Sequence, residues 1–285
     1  MGSLVRILIV AQTLMLAQIP CRADDFYKGR TITFSTFTTP GGSYDTYLRL
    51  LTHYIGKYIP GNPSAVVLNQ PGAGGLVAAN YAGKSAPQDG TFATLMGVGL
   101  IVQGALGEPN LRVPLGDFNW IGNFTKDNNI IVTSETSTAK TLEDAEAREV
   151  TLGSLGAGSI DAQLPMVYNQ LLGTKFKLIY GYEGTPQVLA AMERGEVEGQ
   201  SNIWPTFKAV MPNGGARRLH VLLQIGLSKD LELSNVPLLI DLVKGDAAKE
   251  QIARFMTLAT MISRPLTAPP NVPADRVQIL RRAFD

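Results

Sequence analysis

Twice in this chain a short β-prone segment runs into a glycine-rich turn, a serine and the first turn of an amphipathic helix. Thr31–Thr36 alternates and is rich in Thr and Phe, Pro40-Gly41-Gly42 breaks it, and Tyr44, Tyr47, Leu48, Leu51, Ile55 and Tyr58 then recur at helical spacing. Residues 150–152 repeat the strand and 153–158 the glycine-rich turn, and Ile160, Leu164, Val167, Tyr168 and Leu171 share a helix face. Strands alternating with amphipathic helices need a layered arrangement to bury both faces of a sheet, so the pattern commits the chain to α/β layers with largely parallel sheets. Further apolar runs at 65–68, 91–96, 120–124 and 130–133 extend the scheme, the last two carrying the chain into a second unit. Residues 219–227 read as a return strand and 247–261 as an amphipathic helix. The proline-rich stretch 265–273 is expected to cross the surface as extended backbone before a last helix from Ala274. That helix is still in register at Val277, Leu280 and Arg281-Arg282 when the chain stops at Asp285 without a Gly or Pro stop signal, which predicts a truncated C-terminus.

The two glycine turns are the places where chemistry is expected. Ser43 and Ser159 sit where helix N-caps belong, with Asp45 and Asp161 in the following turns. A helix start presents unpaired N–H groups and the positive end of the macrodipole, so two of them facing across a cleft would hold a small anion. Simple capping explains either turn alone, but the glycine runs before both serines are longer than capping needs. No Arg or Lys occurs between Phe34 and Tyr47 or between Gly153 and Gln170, so the donors would be backbone N–H groups. A third loop, Gly72-Ala73-Gly74-Gly75, lacks the last glycine of a dinucleotide fingerprint, since position 77 is Val. Neither a Walker phosphate loop nor a G-x-S-x-G elbow occurs. His53 and His220 have no acid partner in the pattern and are expected not to be catalytic.

Composition narrows the classes further. A chain of 285 residues buries ample core, and two His and one Cys offer no zinc cluster and little material for an imidazole-assisted nucleophile. Residues 1–23 follow the order of a secretory signal: a basic start at Arg6, an apolar run from Ile7, and small residues before a cleavage point after Ala23. Lipidation of Cys21 is the competing reading, but Gln18-Ile19-Pro20 is a poor context for it. Losing Arg6 and Arg22 with the leader leaves 23 basic residues against 24 acidic and no cysteine. A near-neutral chain without a basic run has no electrostatic footprint for nucleic acid.

The motifs in order resemble a known family. Pro40-Gly41-Gly42-Ser43-Tyr44-Asp45, Asn69-Gln70-Pro71-Gly72-Ala73-Gly74-Gly75 and Ala86-Pro87-Gln88-Asp89-Gly90-Thr91 are similar to the N-terminal half of the tripartite tricarboxylate transporter receptors, also called Bug proteins. Residues 156–159, Tyr180-Gly181-Tyr182-Glu183-Gly184 and Arg194-Gly195-Glu196-Val197-Glu198-Gly199 resemble their second-domain motifs. The resemblance implies a two-domain periplasmic-binding-protein fold of the Venus-flytrap, type II-like kind. It implies a carboxylate held in the cleft by backbone N–H groups, hydroxyls and water rather than by an Arg clamp. By motif, Gly41, Gly42 and Ser43 would contact one carboxylate, with Tyr44 and Asp45 beside them, while Ala157, Gly158, Ser159 and Asp161 approach from the second domain. Gly74 and Gly75 would form the floor, Gly97 and Val98 a wall, and Tyr182, Glu183 and Gly184 a specificity loop. Trp204 is a candidate cover, although a buried Trp more often belongs to a core. Tyr44 and Gln70 depart from the commoner pattern, and Glu183 beside an anion would favour a ligand with an amine or an uncharged tail.

The expectation is therefore a leader over 1–23, a discontinuous first domain over 24–124 plus 223–285, and a second domain over 125–222. The function expected is a monomeric periplasmic receptor that needs no cofactor or metal and delivers a small organic carboxylate to membrane permease subunits. The alternatives are an exported α/β enzyme using Asp45, Asp161 or Glu183 as general base, and a sensor-type binding protein.

Overall fold

The computed structural model describes residues 26–211 and 215–285, so the leader, its cleavage point and Cys21 lie outside the described residues. The first unit opens with β1 (Thr31–Thr36), α1 (Ser43–Tyr54), β2 (Ser64–Asn69), α2 (Leu76–Lys84), β3 (Phe92–Leu95), α3 (Val98–Ala105) and β4 (Asn119–Asn123). The second runs through β5 (Asn129–Thr133), α4 (Leu142–Ala147), β6 (Val150–Ser154), α5 (Ile160–Leu172), β7 (Phe176–Tyr180), α6 (Thr185–Glu193), β8 (Gly199–Ile203), α7 (Trp204–Val210) and β9 (His220–Ile225). Then follow α8 (Leu239–Leu242), α9 (Ala247–Thr260), β10 (Pro265–Ala268) and α10 (Ala274–Phe284).

These strands form two five-stranded sheets of the same design, ordered β2-β1-β3-β10-β4 and β7-β6-β8-β5-β9. In each, three neighbours are parallel and one antiparallel strand, β10 or β5, is inserted before the edge. The first sheet buries Ile32, Phe34 and Leu95 against Leu48 and Ile55 on one side of the chain and Val277 and Leu280 of α10. The second is buried on both faces: Ile131 and Leu152 meet Leu164 and Tyr168 of α5, while Ile130 and Val132 meet Val188 and Met192 of α6.

Two parts of the expected organisation differ from this structure. β9 lies wholly in the second sheet, and Leu239, Ala253 and Met256 pack into the same core, so the chain returns to the first sheet at β10 rather than at residue 223. An apolar run does not say which sheet it joins; the pairing of Ile131 with Leu223 does. The stretch from Pro265 is likewise no surface segment. Pro265, Leu266, Thr267 and Ala268 are all buried between β3 and β4, with Pro265 at the strand's first position, where a missing N–H costs least.

The two crossings between the units run side by side. Arg264 donates its N–H to Asn123 Oδ1 at 3.0 Å, Phe124 donates to Arg264 O at 3.2 Å, and Asn123 Nδ2 donates to Met261 O at 3.2 Å. Among the described residues no helix is long and apolar enough to cross a membrane.

The core carries one testable mismatch. Tyr168 is fully buried, its hydroxyl has no hydrogen-bond partner among the described residues, and burial pushes its pKa up. Tyr168→Phe removes a desolvated hydroxyl without changing the ring, so chemical denaturation should show a gain of about 1 kcal/mol.

Candidate ligand-binding cleft

The loops after the parallel strands of both sheets meet in one cleft, where ligands of open α/β sheets generally bind. Its space between walls, counted to the open mouth, is about 650 Å³, and the enclosed part in which the centre of a water could sit is about 50 Å³. The enclosed part has room for a few waters or a compact ligand.

Four helices of eight or more residues begin on its wall. Gly42, Ser43 and Tyr44 open α1; Gly97, Val98 and Gly99 open α3; Ser159, Ile160 and Asp161 open α5; Gly184 and Thr185 open α6. None of these four starts is closed by a capping side chain. Their positive ends converge on a small volume.

The serines do not cap as their positions suggest. Gly42 is the residue before α1, which makes Ser43 its first helical residue. Ser159 does precede α5, yet its Oγ donates back to Gly156 O at 2.5 Å. The bracing of each turn is done by the aspartate instead. Asp45 accepts from Gly41 N–H at 2.9 Å, from Asn69 Nδ2 at 2.9 Å and from both ends of the Arg49 fork at 2.7 and 3.0 Å. Asp161 accepts from Leu155 N–H at 2.9 Å.

The two carboxylates are therefore electrostatically opposite. Burial raises the pKa of Asp45, but the bonds from Arg49, Gly41 and Asn69 outweigh it and hold the group below the usual carboxylate range. Asp161 has no basic partner among the described residues, and burial, the largest cause, pushes its pKa up against the hydrogen bonds that favour the charged form, that from Leu155 N–H among them. The folded state thus holds the Asp161 proton more tightly than the unfolded chain. That contribution to stability is present below the unfolded value, about pH 3.9, and is lost as pH rises through the raised folded value. Urea unfolding over a pH series should show Asp161→Asn gaining on the wild type as pH rises across that window.

Of the residues expected from the sequence, Gly42, Ser43, Tyr44, Gly74, Gly97, Val98, Ser159, Asp161 and Gly184 line the cleft. Gly41 and Ala157 are exposed beside it, Asp45 lies behind its turn, and Gly75 packs on the Phe37 ring. Gly158 lies where the units touch: an added Cβ at Gly74 would come within 2.6 Å of Gly158 C, and one at Gly99 within 2.4 Å of Gly158 O. Glu183 points its side chain to solvent, so it brings no like charge to the cleft; its carbonyl accepts from Thr39 Oγ1 of the first unit at 3.0 Å. Tyr182 packs against the second core. Trp204 is not on the cleft wall; it is buried in that same core, and its Nε1 donates to Glu232 at 3.0 Å.

Several wall residues have no counterpart in the sequence reading. Thr38, Asn129 and Ser201 are buried polar residues on the wall, and Arg264 brings a guanidinium to it. Thr38 Oγ1, Ser201 Oγ and Arg264 Nε are buried without a hydrogen-bond partner among the described residues. Native interiors rarely leave such atoms unpaired, so three on one wall mark a place that receives polar groups from outside the chain. The one local signal for Ser201 is the polar run Gln200-Ser201-Asn202 inside a mostly buried strand.

The arrangement of two such units around one cleft can be set beside known proteins. BugD, a periplasmic binding protein, superposes with a TM-score of 0.73 at 18% identity, over 90% of this chain and 82% of that one. The chain has a periplasmic-binding-protein fold. MatC from Rhodopseudomonas palustris, solved with bound malate, gives 0.69 at 21% identity, over 90% of this chain and 85% of its own. In sequence, a UPF0065 protein from the TAR-I ttuE-ttuC' intergenic region of Agrobacterium vitis is 28% identical over 200 residues. That match covers 68% of this chain and 56% of the relative. No family model matches the chain. The resemblance to Bug-type receptors thus holds in both sequence and structure.

Proposed function

We propose that the protein is an exported, periplasmic receptor that closes on a small organic carboxylate and hands it to membrane permease subunits of a tripartite tricarboxylate transporter. The observation that carries this reading is the convergence of four uncapped helix starts and three unpaired buried polar atoms on one cleft between the units. N–H donors aimed at a dehydrated site bind anions without needing net positive charge on the chain. The solved neighbours are periplasmic binding proteins, and the malate found in one of them supports the ligand class.

The competing enzyme reading is weaker. Asp45 is engaged by Arg49 and Asn69, which hold its carboxyl below the usual carboxylate range, and the Glu183 side chain is at the surface. Asp161 alone remains in the cleft as a candidate base.

Thermal-shift measurements with succinate, malate, adipate and citrate, each beside its neutral amide, test the proposal. A binder raises Tm in proportion to RT ln(1 + [L]/Kd), so at least one acid should raise it while the amides do not. No shift with any acid in folded protein would count against the receptor; consumption of an acid that stops in Asp161→Asn would favour the enzyme.

A further inference from the structure

Arg264 is 2% exposed and is the largest fully buried side chain of the described residues. It stands at the return crossing, immediately before β10, and lines the cleft. Its surroundings do not satisfy it. A guanidinium carries five N–H donors. Here one terminal nitrogen reaches Thr125 Oγ1 and the other Thr206 Oγ1, both at 3.4 Å, which is long for a hydrogen bond. Nε has no partner. The nearest carboxylate oxygen, Asp127 Oδ2, is 4.0 Å away and itself makes no hydrogen bond. The rings of Tyr44 and Tyr47 cover the group at 5.0 and 4.5 Å from its carbon, an arrangement that favours a cation but supplies no acceptor.

A buried charge persists best when it is closely paired and well hydrogen-bonded, and this one is paired only at 4.0 Å and bonded only at 3.4 Å. A strap between crossings would be expected to bond at ordinary distance. Instead the guanidinium lies against two tyrosine rings, dehydrated and short of close acceptors, on the wall where the helix starts converge. We infer that Arg264 is the specificity residue that pairs directly with the charge of the bound anion, its planar fork taking a carboxylate that the glycine turns alone would hold only through dipoles. This rests on the proposed receptor function and adds to it a charge-pairing residue that the glycine motifs do not contain. Asp127 is then the competitor that partly neutralises Arg264 in the unliganded protein.

Calorimetric titration with succinate, malate, adipate and citrate of the wild type, Arg264→Gln, Arg264→Lys and Asp127→Asn tests this. For the best-bound acid, Arg264→Gln should lose about 10- to 100-fold in affinity, the equivalent of a charged hydrogen bond. Arg264→Lys should recover only part, because an ammonium cannot form the fork. Asp127→Asn should bind more tightly than wild type, a gain that a merely structural Arg264–Asp127 pair would not give. Affinity within threefold of wild type in Arg264→Gln overturns the inference and leaves the receptor reading standing. If that variant does not fold, unchanged affinity in both Arg264→Lys and Asp127→Asn overturns it equally. A folded wild type that binds none of the acids overturns the receptor reading itself, and this inference with it.

Discussion

Replacing Gly99 by alanine is expected to leave the protein folded and to cost roughly 100-fold in ligand affinity, the upper end of the 1–3 kcal/mol typical of overpacking. The new Cβ would fall 2.4 Å from Gly158 O, 2.6 Å from Ile160 N and 2.8 Å from Ser159 C. All three are backbone atoms of the opposite unit's turn, so no side chain can swing aside. Within its own helix the change is harmless, since alanine is the better helix former. The strain therefore falls on the closed arrangement alone. Small-angle scattering should show a more open particle, while the far-UV circular dichroism and the ligand-free Tm stay close to wild type. A variant that still closed and bound normally would mean that the glycine contact is not what sets the approach of the two units.

Removing the Asp45 carboxylate should be the most damaging change to stability at the site, about 2–3 kcal/mol for Asp45→Ala. The side chain is almost fully buried and accepts from Gly41, Asn69 and Arg49, so truncation strands several donors at once. The cost stays below the 3–5 kcal/mol typical of a broken buried pair because Arg49 is 56% exposed and water can take over its solvation. The sign of the pH dependence follows from the lowered pKa. An acid held below its unfolded value stabilises the fold above about pH 3.9, and the effect disappears as pH falls through the folded value. Wild type and variant should thus differ fully near neutrality and converge in acid, as urea unfolding at several pH values would reveal. A constant gap would show that the loss comes from packing and not from the charge.

Of the four helix starts on the cleft, local pattern announces two, those of α1 and α5, while Gly97, Val98 and Gly184 at the other two follow only from the family resemblance. Gly42-Ser43 and Gly158-Ser159 announced two helix starts because a glycine turn, a polar residue and the onset of a 3.6 period are all local. Even there the local rule misassigned the bracing, giving the serines a role that Asp45 and Asp161 perform by reaching back across the turn. Gly97, Gly184 and Thr185 come to the same wall through sheet order, which depends on long-range pairing. Arg264 was hidden most completely. It precedes a proline-rich stretch that reads as surface, and only the insertion of β10 between β3 and β4 brings it beneath Tyr44 and Tyr47. The expectation that the donors are backbone N–H groups counted charges near the glycine turns along the chain, whereas the fold brings a guanidinium to the wall from its far end. Trp204, a candidate cover by the resemblance and a core residue by the general tendency of buried Trp, packs into the core.

Binding of a small carboxylate by its charge in the cleft between the two sheets is open to a single direct measurement: calorimetric titration of the folded protein and of Gly99→Ala with succinate, malate, adipate and citrate, each beside its neutral amide. At least one acid should bind saturably at one molecule per chain, its amide should not bind, and the signal of that acid should be lost in the variant. Equal binding of acid and amide, no binding of any acid, or binding that the Gly99 substitution leaves untouched would contradict this.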